Sequence, residues 1–309
     1  MPDPHTNIYA APQRFVKVGR RRRLNLHITG AGSPTVILSA GGIGSTLDWW
    51  RLQPMLSETN RVVSYDRAGL GFSDPGPLPR TMSRSIADLR VALKALYIEP
   101  PYVLVGHSTG SLDVRLFAFQ HPEEVAGIVL VDPRGDRMIE RLSPVSPAFA
   151  KLASSEWRKL RRRPNIARQK PAPGSPEYED LVFPAIPTLS DEVNEALRKR
   201  FLSPSFWRAA TSEWNAAEGA SQDELREAHR HLGDIPLIVL TAGRNMYSEF
   251  DPTKSDAIES EWRAMHDELV RLSSRGVRRD VKDCGHNIQG ERPDTVVQAV
   301  KEVARAGFP

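Results

Sequence analysis

The sequence predicts an α/β fold, a mostly parallel central sheet flanked by helices, with a mainly helical segment inserted past its middle. Three observations predict it. Short runs such as 35–39, 102–105 and 127–131 are apolar throughout rather than alternating, as strands covered on both faces are. Apolar residues at helical spacing, for example Ile86, Leu89, Leu93 and Leu96, fall between those runs. The strand–helix rhythm stops at about Arg137 and resumes only at Ile235, where Ile-Pro-Leu-Ile-Val-Leu-Thr reads as another buried strand.

In chain order, residues 15–19 and 24–28 read as a hairpin whose turn is Arg20 to Arg23. The strand at 35–39 leads into Ala40-Gly41-Gly42-Ile43-Gly44, then a helical stretch over 47–56. A strand at 61–65 ends in Asp66-Arg67-Ala68-Gly69-Leu70-Gly71-Phe72-Ser73-Asp74, a turn braced by Arg67 and Asp74. The helix carrying Ile86 to Leu96 precedes the strand at 102–105, and the next helix, through Leu112, Leu116 and Phe119, closes at His121-Pro122. The strand at 127–131 ends at Asp132. After the insertion come the strand at 235–241, a helix with Ile258, Trp262, Met265, Leu269 and Leu272 on one face, and a strand over 277–281. Asp283-Cys284-Gly285-His286-Asn287 then leads to a closing helix whose apolar face holds Val296, Val297, Val300 and Val303.

This divides the chain into a core of residues 1–136 and 233–309 and an insertion of residues 137–232. The insertion holds nine prolines between Pro144 and Pro204 and three of the six tryptophans, Trp157, Trp207 and Trp214. A linker has no need of so many tryptophans, so the segment reads as a helical cap that roofs a site and shapes its pocket. Residues 134–200 carry fourteen Lys/Arg against nine Asp/Glu, including the run Arg161 to Arg163; a solvated helix face accounts for the excess, with an anionic substrate as the alternative.

Gross composition narrows the function. A chain of 309 residues with 40% hydrophobic and 26% charged residues suits one large or two modest globular units. No window of 18 uninterrupted apolar residues exists, so no membrane span is expected. Residues 1–13 are polar and lack an apolar h-region, so no secretory signal is expected. The single cysteine, Cys284, forms no internal disulfide and fits a reducing compartment, and a cytoplasmic enzyme is the expectation. A net charge of +4 is weak evidence for a polyanionic partner, and no aromatics interleave Arg20 to Arg23 for base stacking; nucleic-acid binding is not expected.

Chemistry concentrates in Gly106-His107-Ser108-Thr109-Gly110, between a strand and a helix. A strand running directly into a helix reverses within a few residues, which forces the apical serine into strained φ/ψ and requires neighbours without Cβ atoms. The Ser108 hydroxyl is thereby lifted clear of the backbone. A serine hydroxyl is a weak nucleophile and needs a base oriented by a carboxylate, together with donors for the oxyanion of a tetrahedral intermediate. The backbone N–H of Thr109, next after the serine, is one candidate donor. His107, inside the turn, reads as buried support, and His121, beside Pro122, as a helix cap. One cysteine and scattered histidines show no ligand spacing, so no metal or organic cofactor is implied.

The order strand–glycine loop, strand–Asp-Arg-x-Gly-x-Gly-x-Ser-Asp, strand–Gly-His-Ser-x-Gly, strand–Asp, insertion, strand, Gly-His resembles the α/β-hydrolase family in its capped form, from about residue 15 to 303. The resemblance implies a serine hydrolase with a catalytic triad. His286 stands where the family places its base. The family usually supplies the acid after the strand equivalent to 237–240, but the loop here, Ala242-Gly243-Arg244-Asn245-Met246, has no carboxylate. Some members place it after the preceding strand, where Asp132 lies; Asp132 is the first choice, Asp251 the next and Glu249 behind it. The second oxyanion donor is expected from Gly42, although Ala40 replaces the family's histidine in that loop. Cleavage of a carboxylic ester or similar acyl compound through an acyl-enzyme is the expected activity, on a small organic substrate, bulky or aromatic. Carbon–carbon bond hydrolysis, lyase, amidase or peptidase chemistry, and a non-catalytic ligand-binding role, stay open as alternatives.

Overall fold

The computed structural model describes residues 3–248 and 251–307. Eight strands form one sheet: β1 (Arg14–Gly19), β2 (Arg22–Thr29), β3 (Thr35–Ser39), β4 (Val62–Tyr65), β5 (Tyr102–His107), β6 (Val125–Val131), β7 (Leu237–Ala242) and β8 (Gly276–Val281). Their order across the sheet is β1-β2-β4-β3-β5-β6-β7-β8. β2 is antiparallel to both its neighbours, and every other pairing is parallel. The expected mostly parallel α/β architecture is therefore the one observed.

Among the described residues the α-helices are, in chain order, α1 (Leu52–Ser57), α2 (Met82–Ala95), α3 (Gly110–Gln120), α4 (Met138–Leu142), α5 (Pro147–Arg168), α6 (Pro176–Leu181), α7 (Asp191–Phe201), α8 (Pro204–Glu218), α9 (Ala220–Ala228), α10 (Ser255–Val270), α11 (Ile288–Glu291) and α12 (Pro293–Gly307). The segment between β6 and β7 holds α4 to α9 and contributes no strand to the sheet.

The uniformly apolar strands bury both faces. Ile37, Leu104, Ile128, Leu130 and Val239 face α2 and α3, against Leu89, Leu93, Leu112 and Phe117. Val36, Leu38, Val103, Val105, Val129 and Leu240 face the other way, against Trp49, Leu52, Val296, Val300 and Val303 of the α1 and α12 layer. Period-2 alternation between two cores, not between core and solvent, is why these runs carry no polar positions. A third cluster joins α10 to the insertion: Ile258, Trp262 and Met265 pack on Met138, Leu142 and Phe149.

Three local readings need correction. The helical stretch over 47–56 is two pieces, a 3₁₀ turn at Thr46–Trp49 and α1, because Ser45 and Asp48 close a capping box on the first. The arginine run is not all turn: Arg22 and Arg23 belong to β2, where Arg22 forks onto Asp88 and Arg23 onto Asp74. The 66–74 turn is consequently braced from β2, with Asp74 accepting the Arg23 N–H at 2.8 Å, while buried Arg67 reaches out of it altogether.

Candidate active site

Because β3 leads to β4 on one side and β5 opens the other, the chain changes direction between β3 and β5. In open α/β sheets the crevice beyond the carboxyl ends of the strands at such a point is where ligands bind. The candidate residues gather there. Ser108 follows β5 with φ 49°, the strained elbow that the glycine spacing predicts. Its N–H donates to the Val131 carbonyl at 3.1 Å, and its carbonyl accepts from the N–H of Arg134 at 3.1 Å. The turn is as tight as a bare Cα allows, since a Cβ on Gly110 would stand 2.2 Å from the Ser39 carbonyl oxygen. Gly110→Ala is expected to destabilise the fold by about 3 kcal/mol, because only backbone movement relieves the clash; a thermal melt beside the wild type measures it.

Asp132 follows β6 and is buried, with φ 37°. Its Oδ2 accepts from Nδ1 of His286 at 2.6 Å. Its Oδ1 accepts from the Ala242 N–H at 3.0 Å and from Nε1 of Trp262 at 3.3 Å. Burial pushes its pKa up, but the hydrogen bond and charge of His286, with the Ala242 amide, outweigh burial and hold it below the usual carboxylate range. His286 lies in the loop after β8 and keeps a fifth of its side chain exposed. The structure thus brings the first-choice acid and the candidate base into contact. Among the described residues no hydrogen bond joins Ser108 Oγ to the His286 ring; in unliganded sites such contacts are commonly long and tighten with substrate.

Asp251 is engaged elsewhere, accepting from the Ser146 hydroxyl at 2.6 Å and the Thr253 hydroxyl at 2.7 Å. Glu249 lies outside the described residues. Asn245, in the loop where the family acid is usual, turns its side-chain oxygen to the Tyr247 N–H at 2.8 Å.

Gly42 and Thr109 sit side by side: a Cβ on Gly42 would be 3.5 Å from Thr109 Oγ1. Arg67 fixes that loop from behind. Its Nη1 donates to the Ala40 carbonyl at 2.6 Å and Nη2 to the Gly41 carbonyl at 2.7 Å, while Nη2 also meets Glu213 of α8 at 3.1 Å. The arginine read as bracing its own turn instead ties the glycine loop to the insertion.

Two further residues escaped the sequence reading. Trp262, placed on the apolar face of its helix, also donates to Asp132. His266 is fully buried, donates from Nε2 to the Pro133 carbonyl at 2.9 Å and accepts from the Thr241 hydroxyl at Nδ1, 2.7 Å away. The available signal was a histidine four residues after Trp262 on the same apolar stripe. His121 contributes its backbone, not its ring, at the end of α3. There its ring nitrogen and the carboxylates of Glu123 and Glu124 lie within 4.8 Å of one another, a grouping the sequence reading missed, although Glu124 is already paired with Arg90 at 2.6 Å.

Buried His107, His266 and His27 all have pKa values lowered first by desolvation, His107 from 6.5 to about 3. A histidine depressed in the folded state takes up its proton mainly on unfolding, so its contribution is present above pH 6.5 and is lost as pH falls from there toward 3. Stability is expected to drop by up to about 1.4 kcal/mol per pH unit for His107 alone in that window. Thermal melts at pH 7 and pH 5 test the slope, which His107→Gln should flatten.

A cleft of ≈ 420 Å³ opens between the glycine loop and the insertion, bounded by Gly42 and Asn287 near the site and by Phe183, Leu197, Phe201 and Phe206 beyond it. No helix among the described residues is long and apolar enough to cross a membrane.

Residues 36–299 match the model of the alpha/beta hydrolase family. The chain belongs to that family. Among its relatives is the uncharacterized protein YqjL of Bacillus subtilis (strain 168), 26% identical over 278 residues and covering 90% of this chain and 86% of that one. Another is the 2-hydroxy-6-oxo-2,4-heptadienoate hydrolase of Pseudomonas putida, 28% identical over 233 residues, 74% of this chain and 77% of that one. Several other relatives are spanned over only 19–54% of their own length. Among solved structures, a thermophilic esterase from Thermogutta terrifontis superposes with a TM-score of 0.65 at 22% identity, covering 96% of this chain and all of that one. As a member of the alpha/beta hydrolase family the protein is a hydrolase, and similarity to the esterase extends to its fold.

Proposed function

We propose that this alpha/beta hydrolase cleaves carboxylic esters or similar acyl compounds through an acyl-enzyme. Ser108 attacks the acyl carbon while His286 takes its proton; Asp132 holds the imidazole with Nδ1 protonated and balances the imidazolium that forms. The N–H groups of Gly42 and Thr109 stabilise the oxyanion. His286 then protonates the leaving alcohol, and a water activated by the same imidazole releases the acid. Residues 137–232 act as the cap, closing the cleft over the site and supplying its apolar far wall.

The single observation that carries this reading is the 2.6 Å contact between His286 Nδ1 and the buried Asp132 carboxylate, which leaves Nε2 as the nitrogen available to act as base. Carbon–carbon bond hydrolysis is the second reading, favoured by the similarity to the heptadienoate hydrolase. Turnover of a 4-nitrophenyl ester series, set beside a 2-hydroxy-6-oxo-dienoate, separates the two. Ester cleavage lost in Ser108→Ala supports the first, and cleavage of the dienoate alone supports the second. No turnover of either, together with no reaction with a fluorophosphonate, would overturn both readings.

A further inference from the structure

His107 is joined to both halves of the site and is assigned no part in the chemistry above. Its Nε2 lies 3.0 Å from the His286 backbone carbonyl. A carbonyl oxygen only accepts, so Nε2 carries the proton and Nδ1 is a bare lone pair. That Nδ1 is buried and has no partner among the described residues. It faces the glycine loop: a Cβ on Gly41 would stand 3.0 Å from Nδ1 and 3.4 Å from Cε1 of the same ring. The two imidazoles pack with centroids 4.6 Å apart at 47°. Arg67 holds the carbonyls of Ala40 and Gly41, so the ring is wedged between the anchored loop that carries Gly42 and the loop that carries the base.

We infer that His107 is a positioning residue, which through its Nε2–H clamp on the His286 carbonyl sets the base at a fixed distance from the oxyanion loop. The inference rests on the triad reading given above. The rest of the loop 283–287 is held at its flanks: the Gly285 N–H donates to Glu291 at 3.0 Å, the Cys284 carbonyl accepts from the Arg244 N–H at 3.0 Å, and the Asn287 carbonyl accepts from the N–H groups of Gly290 and Glu291 at 2.9 Å each. Without the clamp the base keeps its link to Asp132 but loses the anchor on its own backbone. A neutral ring suits the task, because a charged one would face the imidazolium that His286 becomes during turnover.

Two amides separate the donor from the ring. Glutamine places its side-chain nitrogen about where Nε2 stands, whereas asparagine places its own about where Nδ1 stands. His107→Gln should keep kcat within about threefold of wild type, while His107→Asn should lose about 10- to 100-fold in kcat with KM nearly constant, since sub-ångström displacement of a base costs rate and not binding. Equal losses in both variants, or none in either, would overturn the clamp. Long-range ¹H–¹⁵N correlation spectra of the wild-type protein provide a readout independent of turnover. His107 should remain the neutral Nε2–H tautomer from pH 5 to pH 9, and an Nδ1–H tautomer or a titration within that range would overturn the inference. If Ser108→Ala retained ester turnover while the tautomer was as expected, the triad reading would fail and the clamp would stand as a structural contact.

Discussion

Ser108→Ala is expected to lower kcat for a responsive ester by roughly six orders of magnitude, to the residual rate that oxyanion donors and binding alone sustain. The methyl side chain keeps the Cβ at the apex and removes the hydroxyl that the proposed mechanism uses as nucleophile. Folding should be nearly unaffected. The Ser108 backbone N–H and carbonyl, not its hydroxyl, make the bonds that hold the elbow, to Val131 and Arg134. Alanine also meets the same cost at φ 49° as serine does. Steady-state rates and a melting curve on the same preparation test both halves. An equal loss of stability would mean that the serine is structural.

Asp132→Asn should cost about 10⁴ in kcat with little change in KM, for a reason visible in the carboxylate's partners. Oδ1 accepts two N–H groups, from Ala242 and Trp262, so the amide oxygen of asparagine must take that place. The amide NH₂ is then turned toward His286 Nδ1, which can only accept from it. The imidazole proton is driven to Nε2, and the free lone pair that should receive the Ser108 proton disappears. A rescue of activity at high pH would argue against the tautomer explanation, because a neutral imidazole in the wrong tautomer is not restored by base.

The fold was legible because its central strands lie between two cores. Stretches such as 103–105 and 128–131 have no position that water reaches, so their composition alone marks them. The candidates Ser108 and His286 stand out for other reasons: a turn that tolerates no Cβ two residues either side of the serine leaves a glycine signature, whereas the histidine is marked by where the resembled family places its base. Asp132 was harder. The sequence could show only that the usual loop lacks an acid, and the choice among Asp132, Asp251 and Glu249 depended on which carboxylate the folded chain points inward.

What could not be read was long-range side-chain traffic. Arg67 looks like part of its own turn because sequence neighbours are all a motif shows, yet its guanidinium bonds to residues 26 and 27 positions earlier and to Glu213, 146 positions later. Trp262 and His266 follow an apolar period and were absorbed by it. Their N–H groups, which an apolar stripe hides, are the ones that bond to Asp132 and to the Pro133 carbonyl.

The most direct measurement is peptide mass spectrometry after reaction with a fluorophosphonate, on wild type and on Asp132→Asn. A single adduct on Ser108, formed far more slowly in the variant, is the predicted result. An adduct on a different residue, or labelling of Ser108 at the same rate in both proteins, would contradict a serine activated by His286 under the control of Asp132.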